Sequence, residues 1–210
     1  MLKKIFFTLF IRPLILIVSG VHIRGKEHLP NDGASIIVSN HNSHLDTMVL
    51  MTLYPINRLP KVRPVAAFDY FMKNKYISWF SQEIIGIIPL KRKVSKEEGH
   101  PFAPVYRALE NGETIIIFPE GSRGKPEQMA AFKTGVAHLS KDFQNVPIIP
   151  IYIHGAGKAL PKGEALFVPF VIEVLIGEPL YNENESHRAF TTRLELAIKA
   201  LENTYLKRNR

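Results

Sequence analysis

Residues 36–47 read IIVSNHNSHLDT, an apolar run that ends in two histidines, two asparagines and an aspartate. The β-branched residues 36–38 predict a buried strand, and the apolar residues after Asp46 predict a helix over about 43–54. Polar side chains just past the carboxyl end of a strand are where α/β sheets usually build their sites. The stretch therefore predicts an α/β fold with a functional site at a strand-to-helix turn.

The same alternation of strand and helix continues along the chain. Helices are predicted near residues 43–54, 70–82, 102–110, 127–142 and 186–205. The strand candidates are short apolar runs bounded by Gly, Pro, Asn or Asp: ASIIVSN, VRPVAAF, EIIGIIPLKR, ETIIIFPEG, NVPIIPIYIH and FVPFVIEVLIG. Several of these runs are apolar at nearly every position, so we predict a mixed, mostly parallel sheet covered by helices.

Composition narrows the class of protein. At 210 residues and 46% hydrophobic, the chain is long enough for one sizeable core, and its length does not require a second large domain. It has no cysteine, which excludes disulfides and thiolate zinc clusters and fits a cytosol-facing protein. The formal charge of +8 predicts an anionic partner, either nucleic acid, a phosphorylated substrate or an anionic membrane surface.

The first residues, MLKKIFFTLFIRPLILIVSG, combine a basic start with an apolar stretch over 5–18. Arg12 and Pro13 interrupt this stretch, which is shorter than the ~20 apolar residues of a membrane span. The same interruption and the lack of an A-x-A cleavage site argue against a secretory signal peptide. We predict a membrane-docking segment over residues 1–24 and a main domain over 25–210, with an N-terminal helix packed on its own domain as the alternative.

His41 and Asp46 allow three interpretations. Ser43 with Asp46 three residues later resembles a capping box that starts the next helix. An aspartate one turn inside the helix could also orient His41 as a general base, which is worth ~10²- to 10⁴-fold in rate. The third interpretation is a metal site made by His41, His44 and Asp46, which would need one short loop to supply most of the ligands.

Two further polar clusters follow strand candidates, at residues 91–93 and 119–125. Arg92 and Arg123 each follow a strand, and a guanidinium suits bidentate binding of phosphate. Glu120 follows a strand and a proline, which predicts a residue of the site, with a turn-forming carboxylate as the alternative. The chain has neither cysteine nor a G-x-S-x-G elbow, so direct transfer is favoured over a covalent intermediate.

Four sequence blocks occur in the order seen in one enzyme family. They are N-H-x4-D at residues 40–46, G-I-I-P-L-K-R at 86–92, F-P-E-G-S-R at 118–123 and V-P-I-I-P at 146–150. In these blocks the chain resembles glycerolipid acyltransferases of the 1-acyl-sn-glycerol-3-phosphate (lysophosphatidic acid) acyltransferase type. The resemblance covers about residues 33–155, and the N-terminal segment looks like the membrane-docking element of that family.

The resemblance implies an acyltransferase catalytic domain over residues 25–210. His41 would deprotonate the acceptor hydroxyl, Asp46 would orient His41, and the donor would be acyl-CoA or an acyl carrier protein, with no cofactor and no metal. The resemblance also implies six substrate-binding residues: Arg92, Glu120, Gly121, Ser122, Arg123 and Lys133.

One departure from the family bears on the acceptor. Many relatives have a lysine where this chain reads AAFDYF at residues 66–71, which leaves room for another lysolipid such as a lyso-aminolipid. We predict a peripheral or monotopic enzyme of phospholipid biosynthesis on the cytoplasmic face of the membrane. Basic residues would favour the anionic leaflet, namely Lys3, Lys4, Lys61, Arg63 and Lys91 to Lys93.

Two alternatives to a lysolipid acyltransferase stay open at the level of sequence. A metal-dependent hydrolase would use His41, His44 and Asp46. A nucleic-acid-binding module would fit the net charge, but the absence of a basic helix and the apolar N-terminus argue against it.

Overall fold

A computed structural model of the chain describes residues 1–71, 74–91, 100–122, 128–159 and 170–208. Within these residues one sheet has seven strands in the order β1-β7-β6-β2-β5-β3-β4. All neighbouring strands are parallel except β6 and β7, which confirms the mixed, mostly parallel sheet. The strands are β1 Val21–Arg24, β2 Ser35–Ser39, β3 Val62–Ala67, β4 Ile88–Leu90, β5 Thr114–Ile117, β6 Ile148–His154 and β7 Ile172–Ile176.

The helices of the described residues include one at the N-terminus, α1, built from Leu2–Phe6, Phe7–Ile11 and Leu14–Ser19. Helix α4 likewise joins an α-helical piece, Lys75–Trp79, to a π-helical piece, Phe80–Ile85. The others are α2 His44–Thr52, α3 Phe68–Phe71, α5 Ala103–Glu110, α6 Gly135–Asp142, α7 Ala156–Ala159 and α8 His187–Arg208, with short 3₁₀ turns at Lys26–His28 and Leu59–Lys61.

Helices cover both faces of the sheet. On β2, Ile37 packs into one hydrophobic cluster with side chains from α1 and α2, while its neighbours Ile36 and Val38 pack into a second cluster with side chains from α5, α6 and α8. Successive residues of a strand point to opposite faces, so an unbroken apolar run is what a sheet covered on both sides requires.

Two predicted elements differ from the structure. The run EIIGIIPLKR is not one strand, because Glu83 still belongs to α4 and Gly86, at φ 80°, ends that helix before β4 begins at Ile88. The helix predicted over 127–142 begins only at Gly135. Met129 and Phe132 pack against the core from irregular chain, so their helix-like spacing reflects burial alone.

Helix α1 packs on the domain and also exposes apolar side chains. Phe7 and Ile15 are fully buried in the core, whereas Leu9 and Phe10 are 62% and 61% exposed. Among the described residues, no helix is both long enough and apolar enough to span a membrane. Residues 21–24, which the sequence assigned to the docking segment, form the edge strand β1 beside β7.

The prediction that Lys3 faces the anionic leaflet is wrong. Its side chain is buried, and its Nζ donates a 2.7 Å hydrogen bond to the carbonyl oxygen of Val62 at the start of β3. Arg63 is also engaged, because its Nε donates to the carbonyl oxygen of Gly86 and its guanidinium pairs with Glu113 at 3.4 Å. These two cations fix α1 and α4 to the sheet rather than facing lipid.

Lys3 makes the stability of the fold depend on pH. Burial, reinforced by the positive charge of Arg63, lowers the pKa of Lys3 from 10.5 to about 7. The folded chain therefore binds fewer protons at this site than the unfolded chain between pH 7 and 10.5, so the contribution of Lys3 to stability increases as the pH rises through that window. Relative to Lys3→Met, the wild type should gain up to about 1.4 kcal/mol per pH unit.

Urea unfolding at pH 7 and pH 9 measures this difference. Lys26→Met is the matched control, because Lys26 is an exposed lysine in a surface turn, and its difference from the wild type should not change with pH. Parallel pH curves for the wild type and Lys3→Met would contradict the assignment.

Candidate active site

The turn after β2 is fastened to the neighbouring strand by Asn40. Its Oδ1 accepts a 2.8 Å hydrogen bond from the Ile153 amide, and its Nδ2 donates a 2.9 Å bond to the Ile153 carbonyl oxygen. The side chain is buried away from water, and the backbone of β6 supplies hydrogen-bond partners for both of its polar atoms. The backbone on which His41 sits is thereby held at the carboxyl ends of two parallel strands.

Helix α2 begins with the predicted capping box. Ser43 is the N-cap, and its Oγ accepts a bond from the Leu45 amide. In return, Oδ2 of Asp46 accepts 2.7 Å bonds from the amides of Asn42 and Ser43. These bonds fix the rotamer of Asp46 at a position that is 1% exposed.

The same oxygen of Asp46 also orients the imidazole of His41. Oδ2 lies 3.0 Å from Nδ1 of His41. A carboxylate oxygen can only accept, so Nδ1 carries the hydrogen and the lone pair is left on Nε2. The ring stacks on Phe118, with centroids 3.9 Å apart and 16° between the planes. Capping and orientation are therefore performed by one carboxylate, as the sequence allowed.

Glu120 links the backbone of His41, which forms the candidate catalytic dyad with Asp46, to the segment at Ala130. Its Oε1 accepts a 2.8 Å bond from the backbone amide of His41, and its Oε2 accepts a 2.9 Å bond from the amide of Ala130. Burial raises the pKa of the Glu120 carboxyl, and the two amide bonds act in the opposite direction. Only 5% of the residue is exposed, so its geometry is that of a positioning residue.

We expect Glu120→Gln to lower kcat for the reaction of this site by about 10-fold to 100-fold while KM changes by less than about 3-fold. A glutamine can accept only one of the two amide bonds and turns an NH₂ group toward the other, which displaces the backbone of His41. Steady-state kinetics with both substrates varied makes the measurement. A rise in KM at unchanged kcat would instead support the sequence-based assignment of Glu120 to substrate binding.

A cavity of about 820 Å³ opens beside the dyad at the carboxyl ends of β2, β3, β4 and β5. His41 and Thr47 line one side, and Val65, Ala66 and Leu90 give the wall its apolar character. Two lysines, Lys91 and Lys133, are among the described residues of the lining, and no aspartate or glutamate is. The cavity thus offers an apolar wall and positive charge to a ligand next to His41.

Three of the predicted substrate-binding residues line this cavity: Gly121, Ser122 and Lys133. Gly121 has φ 74°, and a Cβ there would lie 2.4 Å from Nζ of Lys133, so glycine allows both the turn and the approach of the lysine. The amide of Lys133 donates to the carbonyl oxygen of Pro119, which holds the two segments together.

Arg92 and Arg123, the predicted phosphate-binding arginines, fall outside the described residues and stay predictions, as does Lys93. His44 is exposed at the first position of α2 and lines the cavity. Among the residues whose placement is described, no group of three or more His, Asp and Glu side chains is arranged to hold a metal ion. The metal-site interpretation therefore gains no support from the geometry.

Two functional contacts were not predicted. The Phe118 ring sets the plane of His41, and the Asn40 amide fixes the backbone before it. Both residues belong to the sequence blocks described above, since Asn40 precedes His41 and Phe118 precedes Pro119. Their position in these blocks is the sequence feature that could have identified them. Their contact partners are 77 or more positions away in the chain, at 41–118 and 40–153, which local pattern does not reveal.

Comparison with known proteins finds relatives of one enzyme class. The family model described as Acyltransferase matches residues 20–154. Over 161 residues the chain is 29% identical to the chloroplastic 1-acyl-sn-glycerol-3-phosphate acyltransferase BAT2 of Brassica napus, which covers 76% of this chain and 44% of that protein. Over 203 residues it is 26% identical to the 1-acyl-sn-glycerol-3-phosphate acyltransferase of Bacillus subtilis, covering 92% of this chain and 94% of the relative.

The fold has a solved counterpart in the crystal structure of the 1-acyl-sn-glycerophosphate (LPA) acyltransferase PlsC from Thermotoga maritima. The TM-score is 0.75 at 23% identity, over 97% of this chain and 78% of that chain. The α/β fold of this chain is thus a known architecture. With the family model matching more than half of its length, the chain belongs to the acyltransferase family. It spans 44% of the length of the plant relative.

Proposed function

We propose that the chain transfers a fatty acyl group from acyl-CoA or an acyl carrier protein to the free hydroxyl of 1-acylglycerol 3-phosphate, making a diacyl lipid for phospholipid synthesis. The observation that carries the proposal is the His41–Asp46 pair beside the cavity. The plant and Bacillus relatives named above as 1-acyl-sn-glycerol-3-phosphate acyltransferases support the choice of acceptor.

The proposed reaction needs one base and no covalent intermediate. Nε2 of His41 accepts the proton of the acceptor hydroxyl as the oxygen attacks the thioester carbon. The carbon–sulfur bond breaks, and the leaving thiolate takes the proton back from His41. Asp46 stabilises the imidazolium between these steps, because its carboxylate lies 3.0 Å from Nδ1.

The cavity supports an acceptor that carries both an acyl chain and a phosphate. Its apolar wall, from β3 and β4, fits hydrocarbon. The lysine expected at 66–71 is absent, but Lys91 follows β4, and its Nζ lies 5.7 Å from the centre of the Phe68 ring. Lys91 therefore brings a cation to the region where the sequence lacks one, which favours lysophosphatidate over an acceptor without phosphate.

We expect Lys133→Ala to raise KM for lysophosphatidate by about 10-fold or more and KM for 1-acylglycerol, which has no phosphate, by less than about 3-fold. Lys141→Ala is the matched control, since Lys141 is an exposed lysine of α6 that does not line the cavity. Transfer of radiolabelled acyl groups from acyl-CoA or acyl carrier protein provides the measurement. An equal change for both acceptors would contradict a phosphate contact and favour the alternative acceptor, a lyso-aminolipid or another lysolipid.

The proposal places the enzyme at the cytoplasmic face of the membrane as a peripheral or monotopic protein. The exposed apolar side of α1 supports attachment to a membrane, since an enzyme for lysolipids must reach molecules held in a bilayer. Cosedimentation of the wild type and of Leu9→Ser/Phe10→Ser with anionic vesicles tests the attachment, because both substituted side chains are exposed and the buried residues of α1 are kept. Equal binding by both forms would remove α1 as the docking element.

A further inference from the structure

Helix α4 exposes the large apolar side chains of its first turn. Tyr76, Ile77 and Trp79 are 71%, 50% and 54% exposed, whereas Ile84 and Ile85 in the second half of the helix are buried in the core. Exposing three large apolar side chains in one turn is unfavourable in water. The exposed side chains of this turn therefore indicate a binding surface.

This turn is continuous with the exposed side of α1. Phe80 of α4 meets Phe6 of α1 edge to face, with ring centroids 5.3 Å apart, and Phe6 stacks on Phe10 at 5.8 Å. We name Phe6, Phe10, Tyr76, Ile77, Trp79 and Phe80 the α1–α4 surface. It joins two segments that are about 70 positions apart in the chain into one apolar face.

Cations predominate in the two segments that form the α1–α4 surface, and the acidic residue of α4 is Glu83, one turn after Phe80. Residues 1–26 and 74–82 contain no aspartate or glutamate, and Lys4 and Lys75 lie within them. Nζ of Lys75 is 5.1 Å from the centre of the Tyr76 ring. Tryptophan and tyrosine flanked by lysine are the side chains that favour the headgroup region of a bilayer, and the lysines add attraction to anionic lipid.

We propose that the first turn of α4 is a second membrane-docking element, which inserts beside α1 into the headgroup region of an anionic bilayer. Helix α4 follows β3, whose residues 64–67 line the active-site cavity. Insertion of α4 brings that wall of the cavity to the lipid surface. The proposal concerns binding alone and does not require the acyl transfer proposed above.

Trp79 reports on its own insertion, because it is the single tryptophan of the chain. The probe is full-length protein with vesicles of phosphatidylcholine and phosphatidylglycerol. We expect the emission of Trp79 to shift to the blue on vesicle addition and to be quenched by brominated acyl chains. Unchanged emission from protein that cosediments with the vesicles would overturn the proposal, since α1 alone would then be docked.

A displaced tryptophan is the matched control. Leu196 is 59% exposed on α8, a helix whose buried residues pack on the opposite face of the sheet from α1. In Trp79→Phe/Leu196→Trp, vesicles should leave the emission unchanged. A blue shift at position 196 equal to that at position 79 would show that the change is not confined to α4, and would overturn the assignment.

Polar substitutions in the first turn of α4 test its contribution to the affinity for vesicles. Tyr76→Ser/Ile77→Ser should weaken partitioning onto the vesicles by about 10-fold or more, and Leu196→Ser should leave it unchanged. Acyl transfer to a detergent-dispersed acceptor should persist in the double variant, which separates this test from the proposed function. Unweakened partitioning, or a wild-type dimer that α4 substitutions dissociate, would assign the surface to a partner other than lipid.

Discussion

Replacing His41 with alanine is expected to lower kcat for acyl transfer by about 10²- to 10⁴-fold, which is the usual worth of a general base. The loss follows from geometry: Nδ1 is held by Asp46, and Nε2 is the nitrogen left to accept the proton of the hydroxyl. The ring of His41 also stacks on Phe118, but its backbone bond to Glu120 does not depend on the side chain. The fold should therefore survive the change.

Initial rates with acyl-CoA and lysophosphatidate, together with the melting temperature, measure the two effects separately. His44→Ala is the matched control, because His44 also lines the cavity but is an exposed residue at the start of α2. We expect its rate to stay within about 5-fold of the wild type, since a contact at the rim supplies no proton transfer. Near-normal turnover in folded His41→Ala would refute the assignment of the base.

The features that the sequence predicted are local. Strand β2, the turn, the cap and the His–Asp pair all lie within residues 35–52, so spacing alone determines which side chains can meet. An aspartate five positions after a histidine, at N3 of a helix, can reach both the ring and the amides before it. For the same reason the alternation of strands and helices predicted the fold class.

The features that the sequence analysis missed depend on contacts between segments that are far apart in the chain. Lys3 appeared to be a basic residue for an anionic leaflet, but it is buried against Val62, 59 positions away. The assignment of Glu120 to the substrate stays a prediction, but the sequence did not reveal that its two oxygens accept from amides at positions 41 and 130. A carboxylate that binds backbone and one that binds ligand have the same sequence signature, and only the fold separates them.

Strand β1 was missed for a different reason. Its four residues, VHIR, alternate between half-buried and exposed at the edge of the sheet, and only Ser19 and Gly20 separate them from the apolar residues of α1. A strand of four residues at the edge of a sheet is too short for its sequence pattern to be distinguished from the end of a helix. Pairing with β7, from the far end of the chain, is what makes it a strand.

Replacing Asp46 with asparagine should separate the two functions of this side chain. Oδ2 accepts from the His41 ring and from the amides of Asn42 and Ser43, so an asparagine with its carbonyl oxygen in that place keeps the three bonds. What it loses is a negative charge close to the imidazolium that forms during transfer. At an effective dielectric constant near 20, a unit charge about 4 Å away is worth roughly 4 kcal/mol.

We therefore expect kcat to fall by about 10²- to 10³-fold in Asp46→Asn, with a free energy of unfolding within about 1 kcal/mol of the wild type. Ser43→Ala should behave in the opposite way, because it removes the Oγ cap of α2 but leaves the amide bond to Asp46. It should cost about 1 kcal/mol of stability and change kcat by less than about 5-fold. If Asp46→Asn only destabilises the chain, Asp46 serves as a cap alone, and the charge of the dyad is not part of the chemistry.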